Sequence, residues 1–549
     1  MPTCKQCQTN FEITDRDREF YQKMGVPEST ICHQCYFQTF LAFRNSRTFY
    51  KRQCDKCHKD IISIYAQDKL YPVYCEKCWW ADEWSAKDYG QDFDFNRSFF
   101  EQWYGLSQKV PSLYMMSGDN ENSDYTCNSL GVKNCYMSSV VYESCEDVYY
   151  SFWTMGCNNC CDVYCAYDSQ LCYEGFRLSD CYNCNYCIQS KKLTDCDFCS
   201  FCNNCSNCLF CVNLRNKEYH IFNKPCSKEE YEKKSAEIFS SWQKTQEAIK
   251  TLHDFELKFP HLYAKIEKSE DCLGDEILNS KNCDSCFDAL NSENCRHMSA
   301  TGGNGFTKDC YEGYGGGGEL SSHFTCGLNL YNCHYCKFTW DCQNSFYLDY
   351  CRDVSNCFGC VNLKKSEYCI LNKQYTEEEY KKMLPKVITH MKKTGEWGKF
   401  FPPKYSPFGY NETEAMDFFS LNKPSVKQNG WQWRDENAGV RGKTTLLFSD
   451  VPKSINDVDN SLLKEVLECE ICKHNYKIVP QELEFYRKKQ LPIPHFCSNC
   501  RYNRRNKMVL PYELFNRFCQ KCQKNVKSPY APDRQEIVYC AECYQKEVY

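Results

Sequence analysis

No apolar run in the 549 residues approaches the roughly 20 that a membrane helix needs, which excludes a helical membrane protein. The opening Met1-Pro2-Thr3-Cys4 has neither a charged n-region nor an apolar h-region, so no secretory leader is expected. Reduced thiols in the cytoplasm are expected instead. Neither glycine run, Gly302-Gly303-Asn304-Gly305 or Gly315 to Gly318, is followed by the Gly-Lys-Ser/Thr of a phosphate loop. Both read as surface loops. Between Pro111 and Lys224 there is no helical period of apolar residues, and no conventional hairpin signal dominates. Charge of one sign is also missing: the net charge is −5, which excludes a global polyanion binder.

Cysteine is abundant, with 47 residues, and its spacing is ordered. Four C-x2-C pairs, Cys4/Cys7, Cys32/Cys35, Cys54/Cys57 and Cys75/Cys78, recur 465 residues later as Cys469/Cys472, Cys497/Cys500, Cys519/Cys522 and Cys540/Cys543. Glu19-Phe20-Tyr21 recurs as Glu484-Phe485-Tyr486, and Val73-Tyr74 as Val538-Tyr539. Two C-x2-C pairs joined by a short loop supply the four thiolates of a closed, structural zinc site. A cross-braced arrangement needs its second and third pairs almost adjacent, yet Cys35 and Cys54 lie far apart. Pairing in order is therefore expected: Cys4, Cys7, Cys32 and Cys35, then Cys54, Cys57, Cys75 and Cys78, and likewise at the other end, for four zinc ions per chain. His33, His58 and His495 flank sites that are already complete.

Cys4-x2-Cys7 with Phe11, Ile13, Glu19-Phe20-Tyr21, Gly25 and Cys32-x2-Cys35 resembles a zinc-ribbon or treble-clef zinc-binding module of bacteria. Cys519/Cys522 followed by Val538-Tyr539-Cys540-x2-Cys543-Tyr544 resembles the short zinc ribbon often found beside it. The arginine usual after the second pair is present as Arg501 and replaced by Tyr36. The whole chain is similar to large cysteine-rich proteins of unknown function from uncultured bacteria, a likeness that implies an architecture and no activity.

The interior holds a second repeat. Cys208-Leu209-Phe210-Cys211-Val212-Asn213-Leu214 matches Cys357-Phe358-Gly359-Cys360-Val361-Asn362-Leu363 at an offset of 149. Each copy ends in a helix with a capping box, Ser227-x-x-Glu230 and Thr376-x-x-Glu379. Before it, Asn/Asp/Ser-Cys units recur at Asn134-Cys135, Ser144-Cys145, Asp180-Cys181, Asp195-Cys196 and Asn207-Cys208, with strand formers such as Val140-Val141-Tyr142 between them. Short strands with small inward side chains fit a parallel β-solenoid with coils of roughly 20 residues. Cysteine there acts as a small buried hydrophobe. Cys199, Cys202, Cys205, Cys208 and Cys211 stand at every third residue, as in iron–sulfur runs. The ferredoxin-type final cysteine followed by proline is absent, which leaves a stacked core ladder as the favoured reading.

The fold expected is mainly β: two tandem parallel β-solenoids, each capped by a helix, flanked by duplicated double zinc modules. The expected boundaries are a zinc module over 1–80, an aromatic connector over 81–110, solenoids over 111–226 and 271–375, capping segments over 227–270 and 376–398, a connector over 399–465 and the second module over 466–549. From Cys469 to Tyr549 there are 15 Lys/Arg against 8 Asp/Glu. Arg487, Lys488, Lys489, Arg501, Arg504, Arg505 and Lys507 are therefore candidate contacts for an anionic partner, RNA or a ribonucleoprotein. No pattern isolates a catalytic carboxylate pair or a Cys-His arrangement, and no small-molecule substrate is indicated. A non-catalytic scaffold for RNA, ribonucleoprotein or protein follows. A metal- or thiol-reserve protein and a β-solenoid enzyme with an unreadable site stay open.

Overall fold

Every third residue from Asp168 to Phe222 has a positive φ, between 45° and 59°. Such left-handed corners favour Asn and Asp among residues with a side chain, and eight of these nineteen positions carry one. The residue after each corner points inward: Cys172, Leu178, Cys181, Cys184, Cys187, Ser190 and Leu193 are all at most 2% exposed. This geometry explains the recurring Asn/Asp-Cys units, since the first residue turns the chain and the second fills the core. The computed structural model describes residues 1–69, 71–300, 307–435 and 442–548, so the glycine run 302–305 lies outside the described residues.

The chain is sheet-rich with mostly parallel strands and no barrel. Two large sheets contain 10 and 13 strands among the described residues. In the first, Tyr164 pairs with Phe176, Lys191 with Asn203 and Ser206 with Glu218, all in parallel. In the second, Ile277 pairs with Ala289, Cys333 with Ser345 and Arg352 with Lys364. The prevailing register is therefore 12 residues, four corner triplets, rather than the roughly 20 expected from sequence. At this register Cys160, Cys172, Cys184, Cys196 and Cys208 form one buried column, with Cys187, Cys199 and Cys211 in another.

The thiols are also hydrogen-bonded. Cys199 Sγ donates to Asp197 O and Cys208 O, both at 3.4 Å, and Cys202 Sγ to Ser200 O and Cys211 O, both at 3.4 Å. Where serine replaces cysteine, as at Ser190, its Oγ also accepts the Cys202 N–H at 3.1 Å. The core thus suits small side chains that can donate to a carbonyl on either side.

Helices carry the rest. In the first module α1 (Asp15–Met24) and α2 (His33–Leu41) follow the first cysteine pair, and α3 (Glu76–Trp80) follows the third. The connector supplies α4 (Phe99–Ser107), started by Ser98. The first sheet is followed by α5 (Lys228–Phe239) and α6 (Trp242–Glu256). The sequence suggests one helix here, but Ser241 caps a second, with its Oγ accepting the Lys244 N–H. The second sheet is followed by α7 (Glu377–Thr394), and the later connector holds the short α8 (Ala415–Phe418) and α9 (Lys423–Gln428). The last module contains α10 (Pro480–Lys489), α11 (Ser498–Asn506) and α12 (Ala541–Val548). No described helix is long and apolar enough to cross a membrane.

Gly315 to Gly318, read from sequence as a surface loop, is instead packed between strands. A Cβ on Gly316 would lie 1.7 Å from Gly327 O, so only glycine allows this approach.

The modules cross over between the sheets. Val73 and Tyr74 pair with Ser112 and Leu113 just before the first sheet, while Val538 and Tyr539 pair with His261 and Leu262 just before the second. Ser63 Oγ donates to Tyr114 O at 2.8 Å, and Ser528 Oγ to Tyr263 O at 2.6 Å. The offsets of 465 and 149 carry one set of contacts onto the other. The leading half of each module reaches the opposite sheet. Asp17 pairs with Arg296 and Tyr21 packs on Tyr311 of the second sheet, whereas Arg501 pairs with Asp162 of the first.

Candidate metal centres

Four groups of cysteines are able to hold a metal ion: Cys4, Cys7, Cys32 and Cys35; Cys54, Cys57, Cys75 and Cys78; Cys469, Cys472, Cys497 and Cys500; and Cys519, Cys522, Cys540 and Cys543. Within each, the sulfurs lie within 4.8 Å of one another. These are the groups expected from spacing in order.

One local design builds all four. Each leading pair sits on a tight knuckle whose next residue, Gln8, His58, Lys473 or Gln523, has φ between 60° and 63°. The N–H of that residue returns to the first cysteine's carbonyl, at 3.0 Å for Gln8, 2.9 Å for His58, 3.0 Å for Lys473 and 2.8 Å for Gln523. Each trailing pair lies at a helix start: Cys32 caps α2, Cys75 caps α3, Cys497 caps α11, and Cys540 directly precedes α12. The positive end of a helix favours thiolate there.

Distances fit a tetrahedron of sulfur. Sγ separations are 3.7 Å for Cys4–Cys35 and Cys7–Cys32, 3.8 Å for Cys57–Cys75, 3.6 Å for Cys472–Cys497 and 3.7 Å for Cys522–Cys540. A metal–sulfur bond of about 2.3 Å gives a tetrahedral edge of about 3.8 Å. The backbone N–H groups of Cys32, Cys75 and Cys497 donate to the first sulfur of their sites, Cys4, Cys54 and Cys469, each at 3.3 Å. Against burial, which would raise it, the N–H groups of Cys57 and Cys75 hold Cys54 down to about 7. The same balance holds Cys519 near 6, through the N–H groups of Cys540 and Cys522. These thiols are prepared for the ionised form that binds metal.

Two of the neighbouring histidines, His33 and His495, have other partners. His33 stacks on His297 at 4.4 Å, and His495 stacks on Phe448 at 3.9 Å with Nδ1 2.9 Å from Glu470 Oε1.

The basic cluster requires correction. Arg501 and Arg505 are 1% and 0% exposed, so they offer no surface to RNA. Arg501 Nε lies 2.8 Å from Asp162 and its Nη2 3.0 Å from Glu482. Arg505 lies 2.8 Å from both Asp162 and Glu174, and Arg504 lies 2.5 Å from Glu174. Three guanidinium groups thus meet three carboxylates. Burial would raise the Glu174 pKa, but Arg504 and Arg505 hold it below the usual carboxylate range. Arg487 is drawn to Val458 O and Asn460, Lys488 to Asn159, and Lys489 to Leu171 O. Of the seven candidates, Lys507 alone is exposed and has no side-chain hydrogen bond or ion pair among the described residues. Basic residues beside a cysteine knuckle were legible, but two of their three acidic partners, Asp162 and Glu174, lie more than 300 positions away in sequence. Asp162 and Glu174 were the available signal, being two acidic corners spaced by one register.

In comparisons with known proteins, no family model matches the chain, and no curated protein matches it. The likeness of the modules to zinc ribbons and treble clefs therefore rests on the residues quoted above.

Proposed function

We propose that this protein is a zinc-stapled, non-catalytic scaffold in which two β-solenoids of 12-residue coils present rigid lateral faces to a protein partner. The observation that carries the reading is the crossing of the modules, each of which pairs with the segment just before one sheet and grips the flank of the other. Closed sites of four cysteines have no open position for a substrate, which suits structural zinc, and each ion adds roughly 10–16 kcal/mol to folding.

Protein is favoured over RNA because most of the candidate cations are engaged within the chain. Asp168, Asp180, Asp341 and Asp353 instead lie exposed on the lateral faces, beside Tyr182 and Tyr331, each 44% exposed. Carboxylates there would repel phosphate. The thiol-reserve reading is weakened by the buried, hydrogen-bonded state of the ladder.

Elemental analysis of the purified chain should find four zinc ions, and iron in their place would refute the metal assignment. Affinity purification with and without nuclease tests the partner. A protein retained after nuclease is the expected result, and loss of all bound material on nuclease treatment would restore RNA.

A further inference from the structure

A cavity of about 40 Å³ lies where the first module, α4, the second sheet and the later connector meet. Tyr65, Tyr71, Trp103, Tyr350, Tyr405 and Phe408 line it, and Lys337 and Asp349 form part of its wall. Lys337 Nζ is 2.5 Å from Asp349 Oδ1, and the two side chains are 5% and 9% exposed. The rings of Phe43 and Trp103 lie 4.9 Å from this nitrogen, and that of Phe401 5.1 Å.

The coil does not require this ion pair. Lys337 and Asp349 face each other across one register of the second sheet, and at the 149-residue offset the first sheet places Ile188 opposite Ser200 in the same parallel bridge. Removing two charges from water costs several kcal/mol per ion, and a neutral pair serves the architecture. Burial pushes the Lys337 ammonium pKa down although Asp349 opposes it, and burial pushes Asp349 up. Both shifts bring the neutral amine closer. Tyr71 Oη and Trp103 Nε1 are buried without a hydrogen-bond partner in residues lining the same cavity. They are donors suited to a small polar guest.

We propose that this cavity binds a small aldehyde or ketone with an apolar body, captured reversibly as an imine on Lys337. Asp349 first takes a proton from the Lys337 ammonium. The free amine then forms a C–N bond to the carbonyl carbon, and the carbonyl oxygen receives the proton that nitrogen gives up. The Asp349 carboxyl returns its proton to the resulting hydroxyl, which leaves as water while the nitrogen lone pair forms C=N. The product is an iminium cation paired with the Asp349 carboxylate, held by the rings that surround the ammonium. No redox equivalent is consumed.

The test uses the zinc-loaded full chain, propanal and cyanoborohydride, followed by peptide mapping. Lys337 should be propylated about tenfold faster than exposed Lys507, because burial leaves more of its amine neutral and Asp349 relays the proton. Lys337→Arg should lose that label and keep its zinc. Asp349→Asn frees more of the amine but removes the acid that protonates the leaving hydroxyl, so it should slow labelling about tenfold. Should Asp349→Asn fail to fold, the pH profile of the unsubstituted chain decides. Lys337 labelling should level off below the usual lysine value of about 10.4. Labelling of Lys337 no faster than Lys507, a Lys337 profile still rising at the usual lysine value, or labelling only after unfolding would each overturn the proposal.

Discussion

Arg505 sits between Glu174 and Asp162 with no exposed surface, and what it stabilises is a docking interface. Removing one partner of a buried pair leaves an uncompensated charge and costs about 3–5 kcal/mol. Arg505→Ala should therefore lower stability by that amount in denaturant unfolding, whereas Lys507→Ala should change it by less than about 0.5 kcal/mol. Equal effects would mean that the guanidinium is not buried in solution. Asp197 gives a pH-dependent case. Burial raises its pKa to about 6, although Asn185 and Ser235 donate to it at 2.6 Å and 2.8 Å. A raised carboxyl contributes its full stability below the unfolded value of about 3.9 and loses it as pH rises through about 6. Asp197→Asn should flatten that decline and add at most about 3 kcal/mol at pH 7.5, measured by unfolding at pH 4 and 7.5.

At the scale of the element, the unit is a triplet comprising a corner, an inward residue and an outward one. Asn204 occupies an exposed corner with φ 52° and donates to Asn216 Oδ1 at 2.7 Å, one register on. A β-branched residue pays about 1–2 kcal/mol in the left-handed region, which glycine does not. Asn204→Val should therefore destabilise by about 2 kcal/mol and Asn204→Gly by less than 1, in parallel urea titrations. Comparable losses would show that the corner conformation is not what asparagine provides. The inward thiols give a second prediction. They are buried and donate to carbonyls, so a thiol reagent should modify few of them in native protein and most after unfolding. Ready modification of the column from Cys160 to Cys208 in native protein would mean that the coils open easily.

For the whole molecule, crossing makes each metal site serve two parts of the fold. Cys500→Ser should release one metal ion and free α11 from the first sheet. Hydrogen exchange should then accelerate in residues 161–174, which are distant in sequence, and leave the strands Arg296–Ser299 and Tyr311–Tyr314 protected. Acceleration confined to 469–507 would show that the module folds without bracing that sheet. The metal ligands were legible in sequence because a C-x2-C knuckle is local, and 465-residue duplication repeats it in phase. Sheet-rich structure with parallel strands was legible from the short Cys-bearing units. Their 12-residue register was not, because a period of three marks the inward residues without fixing how many triplets separate paired strands, which packing between neighbouring strands decides. The fate of the basic cluster was decided only by tertiary structure. A guanidinium beside a zinc knuckle looks free in sequence, and it becomes an internal ion only when docking brings Asp162, Glu174 and Glu482 within reach.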